Sequence, residues 1–424
     1  MNKEQKDISS LILNRRFQQK DTYNSISMPI YGGVAFEFDN AEEMEDAFLG
    51  KNGKYTYSRI SNPTVEVFED RVQQISEAKH VLAASSGMAA ILDIFMTIAY
   101  AGSNIVTSPH LFGNTFSLFN STLKVFEVET RFCNLLDEQE ITRNIDDKTC
   151  AIFVEAITNP HLEVADLQLL SFLAHSKNVP LIADSTLVPW PAFNAKKLGV
   201  DLEIVSSTKY ISGGATSIGG LIMDHQTFDW SNSPRLKELS KTVGEQAFTI
   251  KLRNEISRNT GTYMSPYVAF LQSLGLETLS LRFKKASENC LSLAKFLQTI
   301  PQIKEVNCIG LPDNPSYKMG NKQFGEYSGA MLTFNLKDRP TCFSFLNRLQ
   351  VIRRATNLFD NKSLIIHPLS TIYSTLNDKC KKMIEVPNEM LRLSVGLENI
   401  EDLKEDILQA LNNEKKNRTR LLSL

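Results

Sequence analysis

The sequence predicts an α/β protein in which a mostly parallel sheet domain is followed by a smaller α+β domain. Between residues 80 and 280, short apolar segments alternate with segments that carry apolar residues at helical spacing. Apolar strands that alternate with helices are typical of a parallel sheet covered on both faces. After about residue 280 the pattern is more mixed. We therefore expect an N-terminal arm over residues 1–60, a large sheet domain over residues 61–279 and a C-terminal domain over residues 280–424.

The composition excludes several classes of protein. Of the 424 residues, 42% are hydrophobic and 22% are charged, and the formal net charge is −2. Normal apolar content and balanced charge exclude a disordered chain, and nothing indicates the basic excess of many nucleic-acid-binding proteins. The six cysteines are far apart without a C-x-x-C pair, which is typical of reduced thiols in a cytoplasmic protein. No apolar stretch reaches the ~20 residues that a membrane-spanning helix needs, so we expect no membrane partner. Among the classes of protein that remain, we expect an enzyme.

The segment 1–60 differs from the rest of the chain. It contains scattered turn signals, such as Gly32-Gly33 and Asn52-Gly53, and little sustained periodicity. It also carries several aromatic residues, which solvated tails rarely do. Among them are Tyr31, Phe36, Phe38, Phe48, Tyr55 and Tyr57. We therefore expect an arm that lies on another part of the assembly, such as a neighbouring subunit.

The regular elements begin after this arm. Asn62 can cap a helix whose first residue is Pro63. Strands are predicted over residues 81–84, 105–107, 150–154, 180–183 and 202–205, and further helices from Met88 and over residues 166–177 and 194–198. In the last third, helices are predicted over residues 279–299, 343–349 and 402–411, strands over residues 330–336 and 391–395, and a charged tail at the end.

Two of the predicted strands end in residues that suit an anionic, nitrogen-containing ligand. The first is followed by Ser85-Ser86-Gly87-Met88, where glycine allows close approach and the next helix presents free N–H groups to a phosphate. By itself such a turn is more often ordinary turn chemistry. Asp184 directly follows another buried strand, where a carboxylate needs a cation or a donor. Alone, Asp184 could equally cap the next segment.

A third strand end carries Lys209. A lysine at the end of a buried strand is unusual, and desolvation makes a neutral, nucleophilic amine available. Ser206 and Thr208 lie two residues apart, so that both hydroxyls could face one phosphate. The alternative is a surface lysine with its charge in water.

Together the three strand ends meet the needs of pyridoxal 5′-phosphate. That cofactor requires a phosphate cradle, an acid at the ring nitrogen and a lysine that forms a Schiff base with its aldehyde. Competing cofactors lack their motifs, since the chain has no G-x-G-x-x-G after a strand and no phosphate-binding G-x-x-x-x-G-K-[ST]. The six histidines show no metal-ligand spacing such as H-E-x-x-H, so no metal site is predicted.

A set of motifs in the right order resembles one family. The motifs are Tyr57-Ser58-Arg59 with Asn62-Pro63-Thr64, Ser86-Gly87-Met88-Ala89, Asp184-Ser185-Thr186, Ser206-Ser207-Thr208-Lys209-Tyr210 and Arg392-Leu393-Ser394-Val395-Gly396. From about residue 20 to residue 412 the chain resembles the Cys/Met-metabolism family of pyridoxal-phosphate enzymes. The resemblance implies the aspartate-aminotransferase-like fold, type I of the pyridoxal-phosphate-dependent transferases.

Within this family the chain is most similar to the O-acetylhomoserine sulfhydrylases. The segment between Lys209 and Ser265-Pro266 is long, as in that branch, and Asn114 stands where lyases like methionine γ-lyase usually carry cysteine. The similarity implies a γ-replacement in methionine biosynthesis, in which sulfide displaces acetate from O-acetyl-L-homoserine to give homocysteine. It also implies a homotetramer built from two dimers.

The resemblance assigns roles to individual residues. It implies that Lys209 forms the Schiff base and shuttles protons, and that Asp184 pairs with the ring nitrogen. Cofactor contacts are further implied for Ser86, Gly87, Met88, Asn159, Ser206 and Thr208, and, from the neighbouring subunit, for Tyr57 and Arg59. Arg392, near Asn357, is implied to bind the substrate α-carboxylate. The residues alone leave Arg392 open, because an arginine on one face of a strand is usually at the surface.

Phe112 departs from the family pattern. In the family a Tyr-Gly pair usually stacks on the cofactor, and here the pair is Phe112-Gly113. A phenyl ring stacks but carries no hydroxyl for acid–base work, which favours a substrate whose leaving group, such as acetate, departs without protonation. Two alternatives stay open. One is γ-elimination from methionine or cystathionine, or cystathionine synthesis, on the same cofactor; the other is a non-catalytic protein that binds pyridoxal phosphate.

Overall fold

The computed structural model describes residues 7–13, 23–190, 192–326 and 329–412. These residues form two β-sheets with helices packed against them. The strands are β1 His80–Ala84, β2 Asn104–Thr107, β3 Glu129–Phe132, β4 Thr149–Glu155, β5 Leu181–Asp184, β6 Leu202–Val205, β7 Gly220–Asp224, β8 Glu305–Asn307, β9 Met331–Asn335, β10 Arg353–Arg354, β11 Leu364–Ile366 and β12 Met390–Ser394.

The helices cover most of the remaining chain. The α-helices are α1 Ile8–Leu13, α2 Ala41–Phe48, α3 Pro63–Ser76, α4 Gly87–Ile98, α5 Gly113–Ser117, α6 Glu138–Asn144, α7 Leu167–His175, α8 Lys237–Val243, α9 Ala247–Lys251, α10 Arg258–Thr260, α11 Pro266–Glu277, α12 Leu279–Gln298, α13 Tyr317–Phe324, α14 Arg339–Arg348, α15 Asp378–Met383 and α16 Ile400–Asn412. Short 3₁₀ and π turns extend several of them. None of the helices in the described part of the chain is both long and apolar enough to cross a membrane.

The larger sheet has the strand order β1-β7-β6-β5-β4-β2-β3. Strands β6, β5, β4, β2 and β3 pair in parallel, whereas β7 runs antiparallel between β1 and β6. This arrangement confirms the predicted α/β class with a mostly parallel sheet. Because the parallel strands share one direction, the carboxyl ends of β4, β5 and β6 meet at one edge of the sheet.

The core of this domain lies on both faces of the sheet. Ala183 and Leu221 belong to the apolar cluster on one face, whereas their neighbours Ile182 and Ile222 belong to the cluster on the other. Since successive strand residues point to opposite faces, short runs that are apolar throughout are what a doubly covered sheet requires.

The smaller sheet, in the order β10-β11-β12-β9-β8, is antiparallel except for the β10–β11 pair. It has a core of its own that includes Leu332, Leu391 and Leu403. Helix α12 connects the two cores: Phe283 packs in the core of the large domain and Leu293 in that of the small one. The domain boundary predicted at residue 280 therefore falls at the start of a helix that serves both domains, and it stays a prediction.

The predicted elements agree with the structure except at several ends. The predicted strand 202–205 coincides with β6, and Asn62 caps α3 by accepting from the Thr64 N–H. Three predicted helices were wrong in extent. Helix α7 is shorter because Asp166 caps it, α14 begins four residues earlier because Asp338 caps it at Arg339, and the helix expected over residues 194–198 is a 3₁₀ turn, Lys196–Leu198. The strands β3, β7, β8, β10 and β11 were missed.

The described part of the predicted arm is attached to the start of α3. The Tyr31 N–H donates to Thr64 Oγ1 at 2.9 Å, and Asn62 Nδ2 donates to the Tyr31 carbonyl at 2.8 Å. Farther from this attachment, the Tyr23 and Ile26 side chains are exposed. The expected contact with a neighbouring subunit stays a prediction, and residues 1–6 and 14–22 of the arm lie outside the described residues.

Two further expectations concern the thiols and the tail. All six cysteines are free, as predicted. The charged tail falls on residues 413–424, outside the described residues.

Candidate active site

A cavity of about 690 Å³ lies at the carboxyl ends of β4, β5 and β6, between the large sheet domain and the small one. Its volume is in the range of small-molecule sites. Eleven of the predicted site residues line it. They are Ser86, Gly87, Met88, Phe112, Asn159, Asp184, Ser206, Thr208, Lys209, Asn357 and Arg392.

At one end of the cavity a ligand can approach the start of α4 closely. Ser86 caps the helix by accepting from the Ala89 N–H at 3.0 Å, which leaves its hydroxyl proton available to an anion. A Cβ on Gly87 would come within 2.7 Å of Ser206 Cβ, so only glycine fits here. The Thr208 hydroxyl instead donates to the Gly219 carbonyl at 3.1 Å, so that it would have to release this bond to donate to a phosphate.

Asp184 stands at the end of β5, where the backbone changes direction. Its Oδ1 accepts from the Thr186 N–H at 2.9 Å. Burial, with a smaller contribution from the negative charge of Glu203, raises the pKa of the Asp184 carboxyl from 3.8 to about 6. No ion pair among the described residues includes Asp184, so a positively charged ligand atom would meet an uncompensated carboxylate.

Lys209 enters the cavity from the segment after β6. Its Nζ donates to Asn357 Oδ1 at 2.8 Å. Burial, together with the positive charge of Arg392, lowers the pKa of the Lys209 amine from 10.5 to about 8. The neutral, nucleophilic form is therefore far better populated near pH 8 than it is for a lysine in water.

Arg392 lies in the middle of β12 and is buried, with 1% of its surface exposed. Its Nη1 donates to Asn159 Oδ1 at 3.1 Å and its Nη2 to the Thr356 carbonyl at 3.2 Å. Burial lowers the pKa of Arg392 to about 10, and within the described part of the chain its Nε has no hydrogen-bond partner. A buried guanidinium held by neutral oxygens alone suits a carboxylate ligand.

Glu155 is a residue of this site that the sequence reasoning missed. It ends β4 in register with Asp184 on β5. Its two oxygens accept from the Phe112 N–H at 2.6 Å and the Asn159 N–H at 3.1 Å, so one side chain holds two walls of the cavity. Burial, followed by the charge of Asp184, raises the pKa of Glu155 to about 8. A signal existed, because Glu155 is a carboxylate at a strand end, like Asp184.

Tyr57 and Arg59 are the two predicted site residues that the chain does not bring to the cavity. The Tyr57 side chain is exposed, and the Arg59 guanidinium lies 5.4 Å from the centre of its ring. The Arg59 Nη1 donates to the Arg258 carbonyl. Neither side chain lines the cavity of its own chain, so a role at a phosphate requires a second copy.

The fold and the cavity define a pyridoxal-phosphate-dependent enzyme of fold type I. The residues present fit that cofactor: Gly87 leaves room beside Ser206, Asp184 lacks a cation, and Lys209 offers an amine of lowered pKa in the same cavity. The chain belongs to the Cys/Met metabolism PLP-dependent enzymes, whose family model matches residues 9–412.

Known relatives match nearly the whole chain. O-acetyl-L-homoserine sulfhydrylase 1 of Thermus thermophilus is 38% identical over 416 residues, which cover 95% of this chain and 99% of the relative. The structure of an O-acetylhomoserine sulfhydrylase of Wolinella succinogenes, described as acting in methionine biosynthesis, is 46% identical, with a TM-score of 0.75 over 84% of this chain and 99% of that one. A putative O-acetylhomoserine (thiol)-lyase of Campylobacter jejuni, 31% identical, has a TM-score of 0.88 over 96% of this chain and 99% of that one and carries N′-pyridoxyl-lysine-5′-monophosphate.

Proposed function

We propose that the protein is an O-acetylhomoserine sulfhydrylase, which replaces the acetate of O-acetyl-L-homoserine by sulfide to give homocysteine and acetate. The proposal rests on the observation that Lys209 and Arg392 line the same cavity. An amine and a guanidinium without a carboxylate partner therefore face the same space. This pair suits the α-carbon and the α-carboxylate of one amino-acid substrate. The choice of the acetylated γ-position is supported by the named relatives.

The substrate carboxylate is proposed to bind to Arg392. The hydrogen bonds from Arg392 to Asn159 and Thr356 fix the plane of the guanidinium, which can then offer two parallel N–H groups to a carboxylate. Binding at this residue would place the α-carbon towards Lys209.

Lys209 is proposed to hold the cofactor covalently at rest and to move protons during the reaction. When bound, pyridoxal 5′-phosphate supplies an electron-withdrawing ring that stabilises negative charge on substrate carbon atoms. When its amine is free, the Lys209 Nζ would take the α-proton of the substrate and later return it. Asn357 holds Nζ by the 2.8 Å hydrogen bond, and the lowered pKa keeps Nζ able to accept a proton near neutral pH.

Asp184 and the start of α4 are proposed to orient the cofactor. Asp184 would hold a proton at the ring nitrogen, because a carboxylate without a cation gains one there. Ser86, Gly87, Met88 and Ser206 would receive the phosphate at the helix N-terminus, and Thr208 would join them if its hydroxyl left Gly219. Phe112, which lines the cavity, would stack on the ring.

The overall reaction is a substitution at the γ-carbon without net oxidation. The bond between the γ-carbon and the acetate oxygen breaks with its electron pair on acetate, and sulfide then forms the new carbon–sulfur bond. Phe112 has no hydroxyl with which to protonate the leaving group. Acetate, unlike an alkanethiolate, leaves readily without that proton, which favours the acetylated substrate over methionine.

We also propose that the working unit is at least a dimer, in which Tyr57 and Arg59 reach the cofactor phosphate of the neighbouring subunit. Two such dimers are proposed to form a tetramer, located in the cytoplasm. The shared site is supported by the exposure of Tyr57 and by the absence of both Tyr57 and Arg59 from the lining of their own cavity. Mixing an inactive Arg59→Ala protein with an inactive Lys209→Ala protein should restore partial activity, since one mixed site would then be intact. No recovery after verified subunit exchange would contradict a shared site.

A product assay tests the proposed reaction. Purified protein is given O-acetyl-L-homoserine with and without sulfide, and we expect homocysteine that depends on sulfide. Release of 2-oxobutyrate and ammonia without sulfide, and no homocysteine with it, would indicate γ-elimination instead. The absence of any turnover with amino acids would support the non-catalytic alternative.

A further inference from the structure

A buried pair of a carboxylate and an imidazole lies behind the sheet at Asp184. Glu203 is in β6, and His225 directly follows β7. Both side chains are fully buried, and His225 Nε2 lies 3.4 Å from Glu203 Oε2. Neither residue lines the active-site cavity, so none of the roles proposed above accounts for the pair.

Stability does not account for the pair either. Burial of a carboxylate and an imidazole is costly unless hydrogen bonds satisfy their polar atoms, and apolar residues of similar size often stabilise such a site better. Among the described residues, Glu203 Oε2 and both ring nitrogens of His225 have no hydrogen-bond partner. A titratable pair that is so poorly satisfied in a core therefore calls for a function.

Glu203 is tied to the segment that carries Asp184. Ser185 Oγ donates to Glu203 Oε1 at 2.5 Å, and the Ser185 N–H donates to the Ile204 carbonyl at 2.9 Å. Ser185 is thus anchored to β6 through both its side chain and its backbone. Since Asp184 is its direct neighbour, this anchor restricts the position of the carboxylate.

The same anchor extends to the phosphate end of the cavity. The Thr186 N–H donates to Asp184 Oδ1 at 2.9 Å, and Thr186 Oγ1 accepts from the Ser206 N–H at 2.8 Å. The three residues 184–186 therefore connect the proposed ring-nitrogen and phosphate contacts, and Glu203 supports them from the opposite face of the sheet.

The negative charge of Glu203 also reaches Asp184. The negative charge of Glu203 adds to the effect of burial in raising the pKa of Asp184, and Glu155 faces Asp184 from β4. A positive charge on His225 would act in the opposite sense. Burial raises the pKa of the adjacent Asp224 carboxyl, and His225 is the smallest of the contributions that oppose this rise. A buried carboxylate strengthens the hold of Asp184 on a proton, whereas a cation beside it moderates that hold.

We propose that Glu203 and His225 are a positioning pair for Asp184, in which Glu203 holds residues 184–186 through Ser185 and the two opposite charges set the electrostatic field at the ring-nitrogen contact. The inference rests on the role proposed for Asp184. It does not depend on which amino acid the enzyme converts.

Three variants separate position from charge. Glu203→Gln removes the negative charge but keeps an oxygen that can accept from Ser185. His225→Gln removes the positive charge. Ser185→Ala removes the hydrogen bond and leaves both charges in place. All three are compared with the unaltered holoenzyme.

The readout is the proton on the cofactor ring, followed without any substrate. The holoenzyme is reconstituted with pyridoxal 5′-phosphate labelled with nitrogen-15 in the ring, and the pH at which that nitrogen loses its proton is measured from its chemical shift. We expect this pH to fall by about one unit in Glu203→Gln and to rise by a similar amount in His225→Gln. In Ser185→Ala it should stay unchanged, while the cofactor dissociation constant rises roughly fivefold.

The signs of the two shifts decide the outcome. If this pH shifts in the same direction in both charge variants, or shifts in neither, the proposal is overturned. A pair with only a structural role would disturb residues 184–186 alike in both variants and would give no shifts of opposite sign. If His225→Gln does not fold, the double variant Glu203→Gln/His225→Gln replaces it. The double variant should return to the original pH, since the two charge effects cancel; a double variant that behaves like Glu203→Gln alone would refute the role of His225.

Discussion

The two walls of the active-site cavity are held in different ways. On the wall of the large sheet, Asp184 ends β5 and Lys209 lies four residues after β6, and the partner of Asp184 is only two residues away in Thr186. On the wall of the small sheet, Arg392 is in the middle of a strand and its partner Asn159 is 233 residues away. The contact of Asp184 therefore follows from local chain geometry, whereas the contacts of Arg392 with Asn159 and of Lys209 with Asn357 exist only when the two domains are packed together.

Replacing Lys209 tests the wall of the large sheet and should have the largest effect. In Lys209→Ala the covalent attachment of the cofactor is lost together with the proposed general base, so turnover should fall by about 10⁴-fold or more. The loss is measured as product formation and as the visible absorbance of the protein. Lys197→Ala, at an exposed position, is the matched control and should behave normally. Normal turnover in Lys209→Ala would contradict the assignment.

Replacing Arg392 tests the other wall. In Arg392→Lys the cation is kept but the paired N–H groups are lost, so kcat/KM for the amino-acid substrate should fall by about 30-fold to 3,000-fold, mainly through KM. Cofactor absorbance should be unchanged, because Arg392 is not among the proposed cofactor contacts. Arg353→Lys, on the exposed strand β10, serves as the control. An unchanged KM would show that Arg392 does not bind the substrate.

Replacing Asp184 tests whether its carboxylate is kept for function at the expense of stability. Burial raises the pKa of Asp184 to about 6 in the folded chain. The protonated carboxyl therefore stabilises the fold fully below about pH 4, and this stabilisation is lost as the pH rises through 6. Cofactor-free Asp184→Asn should therefore be more stable than the unaltered protein at about pH 8, by about 2 kcal/mol, and lose this advantage at about pH 4. Urea unfolding at both pH values measures the difference.

The same variant should bind the cofactor more weakly, because the amide cannot pair with a protonated ring nitrogen. Asp147→Asn, at an exposed position, controls for the loss of a charge and should change neither property. Lower stability of Asp184→Asn at both pH values would show that the carboxylate is a structural residue.

Replacing Phe112 should have the smallest effect on the main reaction. In Phe112→Tyr the ring still stacks, so the rate of sulfide addition to O-acetyl-L-homoserine should change by less than about threefold. The new hydroxyl can protonate a poor leaving group, so elimination from L-methionine or cystathionine should become measurable. Both rates are obtained from product analysis. If the hydroxyl opened no lyase activity, the link between Phe112 and the leaving group would have to be abandoned.

Asp184 and Lys209 could be predicted from the sequence because of their place at strand ends, whereas Arg392 could not and Glu155, also at a strand end, was overlooked. Asp184 and Lys209 each follow a short apolar run, which marks a buried strand and therefore the edge at which ligands bind. Arg392 follows no such rule and looked like a surface residue until the family resemblance was considered. Glu155 met the same rule as Asp184, because it directly follows the strand predicted over residues 150–154, and it was overlooked although its β4 strand end was as well marked as that of β5.

The sequence alone determined the α/β class, most of the parallel strands and the three strand ends from which the cofactor was inferred, because each strand and its end are marked by residues that are neighbours in the chain. Only the tertiary structure decided that Arg392 is buried beside Asn159, that Glu155 joins two walls, and that Glu203 and His225 lie behind Asp184. These contacts join residues from separate strands and separate domains. Their energies come from burial and from charges at short range, and neither exists before the chain has packed.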